Sequence, residues 1–258
     1  MVWLKVSLDS APRKRYKNGS HPMKLDFSNE RILAVVAHPD DAELLCAGTL
    51  ARAKAEGAEI GICVLCDGSK GQARKAIKDL AAVRRREMKA AAKILGATLF
   101  LGGYPDGELI DGKLQRGKLI DIYRKFRPTL VLAHSLSDYH ADHRAAGTLA
   151  EVVSWFTASA GHRKQTKALS APPELWWMDT ISMHGFTPGF YVDISASYDV
   201  KERMLACHRS QLARGADGDF SPLTELMETQ AKARGMQANV AKAEAFQIHQ
   251  AFKRTKAW

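Results

Sequence analysis

His38, Asp40 and Asp41 stand together where an apolar run, Ala34 to Ala37, gives way to a histidine followed by proline. Much later, a second apolar run, Leu130 to Ala133, leads into HSLSDYHADHRAAG, which carries His140, Asp142 and His143. Catalytic zinc typically takes three His or carboxylate ligands and leaves its remaining position to water. His38, Asp41 and His143 can form such a set, and neither motif supplies it alone. A residue before proline is held in extended or turn backbone, so the His38 ring can project from a strand end. Asp41, three residues on, can return to the same point across the turn. His140 and His143 have the spacing that shares one face of a starting helix. Asp142 could orient one of the imidazoles, a usual task for carboxylates near metal-bound histidine. Asp40 has two readings, as cap of the following helix or as a functional carboxylate. Glu43 falls in a first helical turn, where the helix dipole alone accounts for it.

The two motifs can act together only if the fold joins them. Ile32 to Ala37, Glu59 to Cys66, Thr98 to Leu101 and Thr129 to Ala133 are short apolar runs with helix-length stretches between them. Helices are predicted over roughly Ala42 to Glu56, Gln72 to Leu95, Lys113 to Phe126 and His140 to Phe156, with Gly57, Gly96 and Pro128 as stops. The pattern predicts an α/β fold, a Rossmann-like, doubly wound, mainly parallel sheet flanked by helices. In a 3-2-1-4 strand order, the turns after strands one and four face one crevice at the topological switch point. Leu175 to Met178 and Gly189 to Ile194 read as further strands, and Ser197 to Gln211 as a helix. A C-terminal helical extension is expected from Leu223, broken at Gly235. Residues 1–28 read as a basic N-terminal arm and 29–258 as a single domain.

On the second helix, Arg84 shares the inward phase of Leu80, Met88, Ala91 and Leu95. A charge there is costly unless paired. Either it forms a buried ion pair with Glu87, or it reaches the site.

Taken together, HPDDAE, the inward Arg with its following Glu, GGYPDGEL (Gly102 to Leu109), DYHADHRAAG and VDIS…K…CHRSQ resemble the PIG-L/LmbE-like family of zinc-dependent N-deacetylases. The resemblance runs from about Arg31 to Gln211 and extends to AEAF (Ala243 to Phe246). By position it implies one Zn2+ per chain on His38, Asp41 and His143, with other divalent metals admissible. It implies that Asp40 is the general base, that His140 stabilises the oxyanion and protonates the departing amine, and that Asp142 holds His140. Arg84, Asp106 and Tyr139 are expected to bind the substrate, a small N-acetylglucosamine-containing or similar N-acylated amino sugar. Hydrolysis would release acetate and a free amine. The chain departs from the family pattern in two places. HSLSDYH lacks the proline that some members carry before the HxDH histidine, and Ala42 stands where many have glutamate, the acid being displaced to Glu43. Neither departure removes a ligand.

A formal net charge of +10 over 258 residues points to an anionic partner. No nucleic-acid-binding module or set of stacking aromatics accompanies the basic stretches, so they read as a solvated face and nucleic acid is not expected. An anionic small substrate fits the same charge. No apolar run approaches the roughly 20 residues that span a bilayer, so no membrane partner is expected. The first residues lack an apolar signal core, and the expected location is cytoplasmic. Cys63 and Cys66 sit in the apolar run IGICVLC, where strand geometry would turn them to opposite faces. They are expected to be buried thiols, not a redox pair. The resemblance also sets a homo-oligomer as the expectation.

The first turn, HPDDAELLCAG, lacks the G-x-G-x-x-G of nucleotide-dependent oxidoreductases and the G-x-x-x-x-G-K of P-loop enzymes. The remaining rivals are an amidase cleaving a larger acyl group or thiol conjugate at the same zinc site, and a non-enzymatic basic nucleic-acid binder.

Overall fold

β1 (Arg31–Val36) is apolar from Ile32 onward because both faces of the strand are covered there. Ile32, Ala34 and Val36 enter one core cluster, while Leu33 and Val35 enter the other. A computed structural model describes residues 25–163, 165–216 and 222–251. In it β1 pairs in parallel with β2 (Glu59–Cys66) on one side and β4 (Leu130–His134) on the other. β3 (Thr98–Tyr104) lies outside β2, and β5 (Glu174–Met178) outside β4, both parallel to their neighbours. β7 (Ala243–Ile248) then runs antiparallel between β5 and β6 (Phe190–Asp193). The order β3-β2-β1-β4-β5-β7-β6 contains the predicted 3-2-1-4 arrangement and brings the ends of β1 and β4 side by side.

Eight helices flank the sheet among the described residues: α1 (Asp41–Leu45), α2 (Ala47–Ala55), α3 (Leu80–Leu95), α4 (Lys113–Phe126), α5 (Ala141–Phe156), α6 (Tyr198–Leu205), α7 (Arg209–Leu212) and α8 (Leu223–Ala238). None of the helices among the described residues is long and apolar enough to cross a membrane. Leu119, Tyr123 and Phe126 of α4 and Leu149 and Val153 of α5 cover one face of the sheet. Leu50 of α2, Met88 and Leu95 of α3 and Met227 of α8 cover the other.

Several elements differ from the sequence expectation, each for a local reason. The first helix breaks at Cys46 (φ −145°), so α2 starts afresh at Ala47. The helix expected from Gln72 begins only at Leu80. The Gln72 side chain instead closes a loop by bonding the backbone N–H and carbonyl of Ile77. The Ser197–Gln211 helix is split into α6 and α7 by Cys207 and His208. The helical tail forms as α8, but it passes through Gly235 unbroken and is followed by β7. Cys63 and Cys66 do not face opposite sides. A register shift between Val64 and Cys66 places both thiols in the same core cluster, and neither is disulfide-bonded. Residues 1–24 of the arm lie outside the described residues. Packing begins ahead of residue 29, with Phe27 buried against Trp176.

Candidate active site and metal centre

The turn after β1 is built by Asp41. Its Oδ2 accepts the backbone N–H of His38 at 2.7 Å, closing a tight loop that points both side chains the same way. Asp40, between them, has a positive φ of 98°. A non-glycine residue there costs about 1–3 kcal/mol, and such strain tends to gather at functional positions. Asp40 occupies the N-cap position of α1, yet its side chain makes no capping bond. It turns instead to Arg84, whose Nη2 donates to Oδ2 at 2.9 Å and also donates to the Pro39 carbonyl. The alternative Arg84–Glu87 pair does not form, because Glu87 accepts both the N–H and the hydroxyl of Ser210. Gly68 (φ 78°) makes room for this guanidinium; a Cβ there would lie 2.5 Å from Arg84 Cδ.

The second motif enters from β4 and α5. Gly147 lets α5 approach the end of β4, since a Cβ would sit 2.5 Å from the His134 carbonyl. His140 is the N-cap of α5, with its Nδ1 accepting the Asp142 N–H at 3.2 Å. The neutral ring therefore carries its proton on Nε2. Burial, reinforced by His143 and His38, holds its pKa below the usual histidine value. The Asp142 carboxylate does not hold His140, contrary to the sequence expectation. Two residues from a capping position, it turns to His38 instead, with Oδ2 3.0 Å from Nε2 while also accepting the Gly107 N–H.

His38 Nδ1 and His143 Nε2 are 3.3 Å apart, and they lie 3.4 Å from Oδ2 and from Oδ1 of Asp41 respectively, so the two oxygens of one carboxylate face them. Tetrahedral zinc with bonds of about 2.0–2.1 Å spaces its ligand atoms about 3.3–3.4 Å apart. The donor set therefore fits such an ion. The other nitrogen of each imidazole faces a carboxylate, His38 Nε2 towards Asp142 and His143 Nδ1 towards Asp138 at 3.0 Å. That pairing fixes the tautomer and orientation of a metal-bound histidine. Two other combinations share some of these residues: Asp41, His134 and His143, and His38, Cys66 and Asp142. Neither His134 nor Cys66 lines the cavity onto which His38, Asp41 and His143 open. His140, in a third combination, supplies no carboxylate and has Nδ1 committed to its cap.

The carboxylates of the cluster favour positive charge between them. Burial opposes protonation of His38, but hydrogen bonds to Asp142 and Asp41 outweigh it and raise its pKa to about 10. Burial is likewise outweighed at His143, where Asp41 and Asp138 raise the pKa to about 9. Asp41 is held well below the usual carboxylate range by His143 and His134, against burial. Asp40 behaves oppositely, because burial lifts its carboxyl above the usual range despite Arg84.

Two residues of this cluster were not singled out in the sequence. Asp138 was hidden by its separation from the HxDH histidines, and His134 by its place inside the strand run. His134 Nε2 lies 3.1 Å from the Ala37 N–H and 3.2 Å from Asp41 Oδ2, tying the ends of β1 and β4 together. Burial and His143 lower its pKa to about 4, so the ring is neutral. Glu43 also differs from expectation. It is wholly buried rather than exposed to the helix dipole alone, with Oε1 3.4 Å from His208 Nε2.

The cavity has a volume of about 410 Å³, within the range of small-molecule sites. His38, Asp40, Asp41, His140, Asp142 and His143 line it together with Arg84, Asp106 and Tyr139. The three expected substrate-binding residues differ in how free they are. Arg84 is buried against Asp40. Asp106 uses both oxygens on the N–H groups of Gly68 and Lys70. Tyr139 is exposed at the surface. Ile181 lines the cavity as well. Residues 217–221 lie outside the described residues.

Residues 33–154 match the family described as PIG-L: GlcNAc-PI de-N-acetylase. Diacetylchitobiose deacetylase of Thermococcus kodakarensis is 31% identical over 202 residues, which cover 73% of this chain and 75% of that protein. The chain belongs to the PIG-L/LmbE-like family of N-deacetylases. A solved N,N'-diacetylchitobiose deacetylase from Pyrococcus horikoshii shares the fold with a TM-score of 0.76 at 25% identity, over 87% of this chain and 85% of that one. The chain is also similar to a protein named for a different reaction. The 4-oxalmesaconate hydratase of Pseudomonas putida is 29% identical over 195 residues, covering 69% of this chain and 73% of the hydratase.

Proposed function

We propose that the protein is a zinc-dependent N-deacetylase acting on a small N-acetylglucosamine-type amino sugar. The observation that carries this reading is a three-donor cluster, His38, Asp41 and His143, with tetrahedral spacing and Asp40 beside it in one sugar-sized cavity. Zinc held by those three residues would acidify water and polarise an acyl carbonyl. Asp40, lifted in pKa by burial and fixed by Arg84, accepts the proton of the attacking water. His140 donates from Nε2 to the oxygen that gains charge, an interaction typically worth roughly 3–4 kcal/mol. A neutral imidazole is a poor source of the proton that the departing amine needs. We therefore assign that proton to Asp40, which has just received one, in place of the His140 role implied by the family pattern. Asp142 and Asp138 orient His38 and His143.

Diacetylchitobiose deacetylase, at 31% identity, supports the substrate class. Metal analysis of the purified protein, with acetate release measured on a panel of N-acetylglucosaminides, tests the proposal. One zinc per chain and chelator-sensitive acetate release are expected; metal-independent release, or none from any acyl sugar, rejects it. Running longer N-acyl and thiol-conjugate substrates beside the panel separates the amidase reading. The relation to a hydratase supports a second reading, water addition to an unsaturated polycarboxylate, which loss of ultraviolet absorbance would reveal. The unpaired cysteines support the proposed cytoplasmic location.

A further inference from the structure

The CHRSQ segment, to which the hydrolytic chemistry assigns no task, forms the corner between α6 and α7 and sends side chains in three directions. His208, wholly buried, turns to α1, where Glu43 Oε1 lies 3.4 Å from its Nε2. Ser210 turns to α3. Its backbone N–H and its hydroxyl donate to the two oxygens of Glu87 at 2.8 and 2.6 Å. Gln211, only 2% exposed, donates from Nε2 to the Gly71 carbonyl at 3.2 Å, in the loop after β2.

The three targets share a neighbour. Glu43 stands three residues after Asp40, and Glu87 three residues after Arg84. Each acid is thus about one helical turn beyond one partner of the Asp40–Arg84 pair. Gly71 adjoins the same guanidinium, since a Cβ on it would lie 3.1 Å from Arg84 Nη1. Gly68, in that same loop, accepts from Nη1 at 3.5 Å. One short corner therefore grips the start of α1, the middle of α3 and the loop beside them. These are the pieces that bring Arg84 Nη2 to 2.9 Å from Asp40 Oδ2.

The grip is firm. Burial opposes a charge on His208, but Glu43 outweighs it and raises the pKa of the ring. Neither oxygen of Glu43 meets a further hydrogen-bond donor among the described residues, so parting the two would strand a buried carboxylate. Asp40 also needs a brace. Its positive φ of 98° is a strained conformation, which persists only where the surroundings over-determine it.

We propose that His208, Ser210 and Gln211 are positioning residues: by holding Glu43, Glu87 and Gly71 they set the Asp40–Arg84 pair in the orientation from which Asp40 takes a proton. The effect on rate rests on the deacetylase reading, and it extends the machinery to a corner that supplies no metal donor.

Kinetics of acetate release on the zinc-loaded protein test the proposal, beginning at Glu87, a half-buried helical position that alanine suits. Glu87→Ala frees Ser210 from α3. It should lower kcat about 10–100-fold, the scale of a reacting group displaced by about 1 Å, with KM within about twofold of the parent. Zinc content should stay that of the parent. Glu87→Gln keeps an acceptor for the Ser210 hydroxyl and should recover most of the loss. Ser210→Ala leaves its backbone N–H in place and should fall between the two. In an Asp40→Asn background, followed at high enzyme concentration, Glu87→Ala should add almost no further loss, because the group it positions is already gone. An unchanged kcat in Glu87→Ala overturns the proposal. So does a loss that appears in KM or in zinc content, or one that repeats in full beside Asp40→Asn.

A crystal structure of Glu87→Ala gives a readout that needs no substrate: the Asp40–Arg84 contact should lengthen from its 2.9 Å. A lengthened contact, in a protein whose parent releases no acetate from any N-acetylglucosaminide, would reject the deacetylase reading and keep the clamp. An unaltered contact, beside normal acetate release by the parent, would do the reverse.

Discussion

The two sides of the cavity are built on opposite plans. Around His38, Asp41 and His143 nearly every polar atom faces another polar atom of the protein, and the carboxylates of Asp138 and Asp142 are almost fully buried. Around Lys70, Tyr139 and Arg214 the side chains are exposed or half-exposed, and loops carry them. Water activation needs donors held to a fraction of an ångström, which a buried network secures. Choosing among sugars needs contacts that can vary without disturbing that network. Relatives named for deacetylation and for hydration, at similar identity to this chain, are what such a division allows.

Substitutions test how sharp the division is. His143→Ala should cause the largest loss, emptying the metal site and reducing turnover to background, as read by metal emission spectroscopy and acetate release. Asp40→Asn should keep its metal and lose roughly 10²–10⁴-fold in kcat, the range for a lost acid–base group. Full activity in that variant would remove Asp40 from the mechanism. Asp138→Asn preserves the oxygen that accepts the His140 N–H but removes the charge facing His143. Zinc affinity should fall about 10–100-fold, measured by competition with a chelating dye.

A smaller effect concerns pH. In the metal-free protein His38 and His143 have pKa values raised to about 10 and 9 from 6.5. Their protonated forms thus stabilise the fold fully below pH 6.5, and this contribution fades as pH rises through the folded-state values. The Tm of chelator-treated protein should fall from neutral towards alkaline pH, while the metal-loaded form falls less. Metal affinity should rise over the same interval, because binding displaces those protons. Equal alkaline slopes for the two forms would mean that the imidazoles are not where the metal sits.

Much of the buried side was legible in the sequence because it obeys strong local rules. The apolar runs, their spacing and the ends of α4 and α5 sufficed to predict that the turns after β1 and β4 meet. Bonds between residues distant in sequence were less visible. Asp142 and His140 are adjacent in the motif, yet backbone capping takes one ring nitrogen of His140 and leaves the Asp142 carboxylate for His38. His134 resembled the last residue of a core strand, and only pairing of β1 with β4 turns it towards Ala37 and Asp41. The antiparallel insertion of β7 left no period-2 signal, since its two polar side chains, Glu244 and Gln247, stand three apart and read equally well as helix.

That last strand has a further task. Glu244 accepts the N–H groups of Gly48 and Thr49 while pairing with the buried Lys201, which also donates to the Leu44 carbonyl. The opening turn of α2, and with it the short helix that begins at Asp41, is therefore anchored by a carboxylate 195–196 residues further along the chain. A chain truncated before Ala243 would contain all of the proposed metal donors and still lack the brace behind them. Competence for hydrolysis should accordingly depend on a strand that contributes no donor to the metal.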